Sequence, residues 1–438
     1  MKEFSESRLR SRILTGTFWN FVATIAGQGS TFVVGIIVAN LLKLNEYGEY
    51  AIILSTLLSL AGIVQLSIGQ TVTKYVAEYR STNVDKVGNI LGLCFSVSII
   101  TALVGSVILI LGAPYIAEYV LKAPHLSLPL MIGAGFLLFS VINGYQMGVL
   151  AGLEGYQSLA KAGMASAVVA IVSITIGAWQ FQLTGAVLAL SFSALLRFVF
   201  HYLWLRKALL KLNISPSYFQ WDKEKNVLYH FAVPAAAAGF YSIPAIWLAN
   251  SILVRQPNGY EQMALFSAAF SIRTLVLFIP NVFNTVGLSI LNHLKGSNNH
   301  AHYKRVYGLN VLIIFLLTSL AAIVVGLFGD FSLRIFGNKF ALALPVLWAL
   351  LFSTIPEGLL MGLTQYLQSQ EKIWLTLFAI NIPRETLLVI MAFFLIPKYG
   401  ALGLAYTYAI VHTFALFVIV IIIINKIRVN RNLQPSAV

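Results

Sequence analysis

Residues 87–111 read VGNILGLCFSVSIITALVGSVILIL, twenty-five positions without a charge. As a helix rising ~1.5 Å per residue, such a stretch outreaches a hydrocarbon core of ~30 Å. In lipid each backbone N–H and C=O must be bonded within the protein, so a run this apolar is a helix. Outward from it the same signature recurs along all 438 residues. Twelve spans are expected, at 13–38, 47–70, 87–111, 126–151, 160–181, 184–205, 228–250, 263–291, 307–328, 341–366, 374–396 and 401–425. The weakest division lies between the fifth and sixth, where only Gln180, Gln182, Thr184 and Gly185 interrupt the apolar run. The composition agrees: 58% hydrophobic residues, 10% charged and a mean hydropathy of +0.83. The charged opening leads into an apolar segment longer than that of a cleavable signal, so the first span is read as a retained helix. The single cysteine, Cys94, is read as a packing residue of the third span.

Loop charges orient the chain. With the N-terminus inside, the cytoplasmic segments hold twenty Lys and Arg against six on the other side. That is a strong positive-inside bias, and it places both termini in the cytoplasm. It also accounts for the net charge of +14, because the cations flank helices beside anionic headgroups. Nucleic acid is not an expected partner.

The longest polar connection, about 206–227, divides six spans from six and marks an N-terminal lobe, 1–212, and a C-terminal lobe, 213–438. The halves resemble each other weakly. Leu-Glu at 153–154 follows the fourth span and Gln-Glu at 370–371 the tenth; Gly185-Ala opens the sixth span and Gly400-Ala the twelfth. An even number of spans per copy gives parallel repeats related by an axis along the membrane normal, with the substrate site between them. The expected fold is thus an all-α polytopic membrane protein of two six-helix lobes with pseudo-two-fold symmetry. Pro234, Pro244, Pro280, Pro356 and Pro383 fall inside spans, as static bends or moving hinges.

Charges inside spans cost at least ~2.5 kcal/mol each on insertion scales and call for a reason. Five candidates stand out, Arg197, Arg273, Glu357, Arg384 and Glu385, with His412 at the repeat position of Arg197. Arg273 lies too deep to snorkel, and Asn284 shares its helical face; it is the leading candidate for a cavity cation. Glu357 heads a stripe with Thr364, Gln365 and Gln368. In the first span Asn20, Thr24, Gln28 and Thr31 share an arc that either lines an aqueous cavity or joins helices. Arg384 has two readings, facing substrate or pairing with Glu357. Arg197, with His201 on its face, faces either the interior or lipid phosphates. Three arginines against two glutamates make a cationic interior, which suits a pyrophosphate headgroup because guanidinium binds phosphate bidentately. No phosphate-cradling loop, paired-histidine zinc motif or cysteine pair is present, so neither an enzyme nor a metal or cofactor is expected.

The order Gly16-Thr-Phe-Trp19, Gly27-Gln-Gly-Ser30, Glu46-Tyr-Gly-Glu49-Tyr50 and Gly69-Gln-Thr-Val-Thr-Lys74, followed by Leu150-Ala-Gly-Leu-Glu154, resembles Wzx-type polysaccharide flippases. These belong to the MOP superfamily, with MATE drug exporters and lipid II flippases. The resemblance implies a MATE-like fold with a V-shaped central cavity and alternating access, in a bacterial cytoplasmic (inner) membrane. It implies as substrate an oligosaccharide repeat on undecaprenyl pyrophosphate, moved from the inner to the outer leaflet for surface polysaccharide such as O-antigen. The expected partners are this lipid-linked oligosaccharide, membrane lipids, and polysaccharide polymerase and chain-length proteins. In this reading Arg273, Arg197 and Arg384, with Asn284, Asn20 and Gln28, bind substrate and Glu357 couples to an ion. The alternatives are a MATE-like efflux antiporter and a membrane glycosyltransferase or polymerase. The first is disfavoured because spans 1 and 7 hold no coupling carboxylate, the second by short outer loops.

Overall fold

The structure, a computed structural model, describes residues 2–218, 224, 233–296, 300–370 and 372–432. Among these the regular structure is helical, without a strand. Helix α1 (Lys2–Leu41) is followed by α2 (Leu44–Val64), which opens on a capping interaction: the Lys43 N–H donates to the Glu46 carboxylate at 3.2 Å. The second expected span stops at Val64 rather than at residue 70. Leu66 and Ser67 both take the left-handed conformation, at φ 48° and 55°, which breaks the helix. Helix α3 (Ile68–Tyr79) then starts in a new direction and is amphipathic, with Ile68, Thr71, Val72 and Val76 buried and Lys74 and Glu78 exposed. Asn83 caps α4 (Val84–Tyr115), its side chain accepting from the Lys86 N–H at 2.9 Å.

Next come α5 (Ser127–Gly152), α6 (Tyr156–Lys211), α7 (Val233–Val254), α8 (Gly259–Gly296), α9 (His300–Leu327), the short α10 (Gly329–Arg334), α11 (Leu344–Ser369) and α12 (Ile382–Asn432). Two of these double back on themselves. In α6, Phe181 and Gln182 leave helical geometry, Gln182 at φ 51° and ψ −134°. Gly177 and Gly185 would lie ~12 Å apart on a straight helix. Instead they touch: a Cβ on Gly185 would sit 2.0 Å from the Gly177 carbonyl oxygen. The chain reverses where the sequence shows its weakest division. In α12 the reversal is at Gly400, with φ 57°, and there the Ala401 N–H donates to the Gln262 side chain at 3.0 Å.

Among the described residues nine stretches are long and apolar enough to cross a membrane, the two doubled helices counting once each. The seventh expected span, 228–250, is described only from Val233, and contributes the shorter apolar helix Phe240–Val254. Apolar side chains such as Leu111, Trp179 and Leu327 point outward, as a lipid-facing surface requires. The chain is a multi-pass helical membrane protein.

It divides into two compact units, Met1–Ile243 and Pro244–Val438. The first is centred on Val72, Val76, Ile90, Leu91, Val149, Leu150 and Leu205, the second on Leu360, Leu367, Ile380, Ala415 and Ile419. The polar connection after α6 begins as part of the first unit. Asn213 turns the chain at φ 52° and Ile214 enters the core. The Ser217 N–H donates to the Gly88 carbonyl at 3.0 Å, and Tyr218 packs on Phe95 with ring centroids 5.6 Å apart. A Cβ on Gly92 would lie 1.8 Å from the Ser217 carbonyl oxygen, so the glycine is what admits the strap. Gly92→Ala is therefore expected to lift residues 213–218 off α4. Chymotryptic cleavage at Leu212 or Tyr218 of the purified protein should become faster than in the wild type; an unchanged cleavage pattern would show that the strap is held elsewhere.

Candidate functional site

Of the five span charges singled out from the sequence, four lie in the C-terminal unit, and there they are paired. Arg273, fourteen residues into α8, is 4% exposed. Its guanidinium binds the Glu357 carboxylate of α11, and its Nε donates to Ser353 Oγ at 3.3 Å. The aromatic rings of Phe270 and Tyr408 lie 5.0 and 5.2 Å from the guanidinium carbon. His412 of α12 brings Nε2 to 3.6 Å from the same carboxylate, while its Nδ1 bonds the Tyr408 carbonyl at 2.7 Å. Arg384 turns to its sequence neighbour Glu385, donating through both Nε and a terminal nitrogen. Of its two readings, facing substrate or pairing with Glu357, the second is not met, because Arg273 holds Glu357 instead. Two cations thus stand against two anions.

Farther along α8 and α11 is an amide relay. Gln365 Nε2 donates to the Asn284 carbonyl and side-chain oxygens at 2.8 and 2.7 Å, and Asn310 of α9 donates to Gln365 Oε1 at 2.7 Å. These bonds use both N–H groups of Gln365, so Asn284 is tied into an interhelical network of the kind that joins membrane helices.

The fifth of these charges, Arg197, lies in the N-terminal unit. It is half-buried on α6, and among the described residues no carboxylate pairs with it. Around it are buried polar groups. His201 Nδ1 lies 2.9 Å from the Arg197 carbonyl and 3.2 Å from Asn143 Nδ2, and Asn143 reaches Gln146 Oε1 at 3.5 Å. Asn143 and Gln146 belong to α5 and stand 4% and 1% exposed. Sequence reasoning passed over this pair, although its i, i+3 spacing on one helical face was a readable signal. In α1, Gln28 is exposed, and the side chain of Asn20 lies outside the described residues. Glu371, a landmark of the repeat, lies outside them as well.

Two further polar contacts brace the N-terminal unit. Arg80 binds Glu154, joining the ends of α3 and α5, and Glu49 accepts from Asn45 at 2.9 Å and meets His125 Nε2 at 3.0 Å. No group of three or more His, Cys, Asp or Glu among the described residues is placed to hold a metal ion.

The sequence profile of a family described as polysaccharide biosynthesis protein matches residues 13–288. No curated protein sequence matches the chain. Solved structures do. A multidrug resistance MATE family transporter of the MOP superfamily, inward-facing, superposes with a TM-score of 0.79 at 15% identity, covering 96% of this chain and 100% of that one. A MOP superfamily transporter from Pyrococcus furiosus, described as having a binding pocket of reversed polarity that suggests a different function, gives 0.68 at 16% identity over 97% and 96%. An outward-facing MATE structure gives 0.66 at 17% identity over 97% and 96%. The fold is that of the MOP superfamily.

Proposed function

The chain belongs to the polysaccharide biosynthesis protein family, and from that membership we propose that it is a flippase for oligosaccharide repeat units linked to undecaprenyl pyrophosphate. The movement is from the cytoplasmic to the outer leaflet of a bacterial inner membrane, with both termini cytoplasmic and with a polymerase and chain-length proteins acting next. The observation that carries the reading is Arg197, a cation inside a span with no carboxylate partner among the described residues. An unneutralised guanidinium fits a pyrophosphate, which it binds by paired N–H donors. It does not fit a lipophilic cation, for which an unpaired carboxylate would serve. The buried span carboxylates are engaged, Glu357 and Glu385 by arginine and Glu49 by the Asn45 amide and His125. Asn143 and Gln146, which meet the same helix at His201, carry buried amide groups of the kind that suit a phosphate or the first sugar. Arg197 thus takes the docking role that the sequence assigned first to Arg273.

The test is the sidedness of the lipid-linked glycan in a deletion strain. Spheroplasts are treated with an impermeant glycosidase before and after permeabilisation. Glycan protected until permeabilisation, and accessible again on complementation, is the expected result. Accessible single repeats in the deletion strain would overturn the flippase reading, and an unchanged pool of glycan lipid would favour efflux of another compound.

A further inference from the structure

The second expected span is interrupted where neither half is built to stop. Leu66 and Ser67 both hold left-handed backbone, at φ 48° and 55°, which a residue with a Cβ adopts only when its surroundings impose it. Ser67 stands at the N-cap of α3, a position that serine favours, yet its side chain makes no capping bond. Among the described residues the N–H groups of Ser67, Gly69 and Gln70 meet no backbone acceptor. The Gln65 amide, laid across Gly144 of α5, makes no hydrogen bond among them either. A continuous helix through 65–68 would remove both left-handed residues. It would also give those three N–H groups the carbonyls of Ile63, Gln65 and Leu66.

Against this stands the seat of α3 on α5. The two helices meet backbone to backbone. A Cβ on Gly69 would lie 2.8 Å from the Gly144 carbonyl oxygen, and one on Gly152 3.0 Å from that of Thr73. The Thr73 hydroxyl lies 2.8 and 2.9 Å from the Gly69 and Gly148 carbonyl oxygens. At the far end of α3, Arg80 binds Glu154, itself left-handed at φ 59°. Glycine surfaces allow close approach without interlocking side chains, so the seat parts without drawing knobs out of holes.

We propose that residues 65–67 are a joint with two states and that α3 is a flap turning on it. In the state described here the chain is broken and α3 is seated on α5. In the other, α2 and α3 form one helix and α3 stands off α5. That parts Arg80 from Glu154 and uncovers the buried face of α3 at Val72 and Val76. Each state forfeits what the other holds, backbone geometry in the first and the seat in the second, which is the condition for a bistable element. The balance is set at Ser67. Glycine takes the left-handed conformation freely and is a poor helix former, so it favours the seated flap. A β-branched residue resists that conformation and favours the continuous helix.

The inference does not depend on what is transported, and neither does its test. The full chain is placed in lipid nanodiscs without substrate. Cys94→Ala with Val76→Cys leaves one thiol, on α3 at a position 0% exposed. Its rate of labelling by N-ethylmaleimide, relative to the denatured chain, reads how often the flap stands open. Adding Ser67→Gly is expected to slow labelling by ~10-fold, because it lifts the cost of one left-handed residue from the seated state alone. Adding Ser67→Val, or Arg80→Gln, is expected to speed it. Glycine in an ordinary loop would loosen the chain and raise the rate, so the sign for Ser67→Gly discriminates. Labelling that is unchanged or faster in Ser67→Gly would overturn the proposal, as would a thiol that stays unlabelled in every variant. If Ser67→Val does not fold, Ser67→Gly decides alone on the same criterion.

Discussion

Arg197→Ala is expected to reduce export of lipid-linked glycan by ~10–100-fold while the protein remains folded in the membrane. The magnitude corresponds to losing one charge-assisted anion contact, about 1.5–3 kcal/mol. The sparing of the fold follows from what surrounds the side chain. Among the described residues no carboxylate neutralises Arg197, so its removal strands no partner. Deleting a half-buried, unpaired cation also relieves its desolvation penalty, and the thermal midpoint should stay level or rise. Arg197→Lys keeps the charge and loses the planar fork, and should retain part of the activity. The measurement pairs surface polysaccharide with membrane protein level in the same cells. Normal polysaccharide in Arg197→Ala would move anion docking to another residue.

Arg273→Ala should behave in the opposite way, by loss of the protein itself. The side chain is 4% exposed and bound to Glu357 and Ser353 between two rings. Removing one member of a buried pair leaves the other uncompensated, which typically costs ~3–5 kcal/mol. Against a total stability of ~5–15 kcal/mol such a loss lowers the folded population and the cellular level. The double variant Arg273→Met with Glu357→Leu removes both charges and should recover most of that loss, since an apolar replacement of a buried pair is often neutral or better. Thermal unfolding of the two single variants and the double variant, in one detergent, gives the coupling directly. Additive effects would show that the pair is not a unit. The contrast between the two arginines is the useful outcome: one variant keeps its protein and loses export, the other loses its protein.

How much of this was legible beforehand can be traced residue by residue. The run 87–111 and its counterparts sufficed for a polytopic helical protein, because transfer of apolar side chains is additive over a window of ~20 residues and needs no knowledge of neighbours. The reversal at Gln182 was marked by a short polar interruption of the apolar run. The break at Leu66–Ser67 was not, since neither residue type favours the left-handed region and tertiary packing, with α3 tied to α5 through Thr73 bonded to the Gly148 carbonyl at 2.9 Å, helps hold the chain there. Likewise Gly92 gave no sign that residues 213–218 lie across it.

The sequence by itself determined the membrane class, the family, and the inventory of charges within the spans, since each is a property of local composition and order. Only the tertiary structure decided which of those charges are spent on one another. Arg273 meets Glu357 across 84 positions of chain, Arg384 meets Glu385 at the next position, and Arg197 meets no carboxylate among the described residues. The physical reason is that a charge in low dielectric is governed by whatever lies within ~4 Å of it, and sequence order does not say whether that neighbour is the next residue, as for Arg384, or comes from a remote helix, as for Arg273.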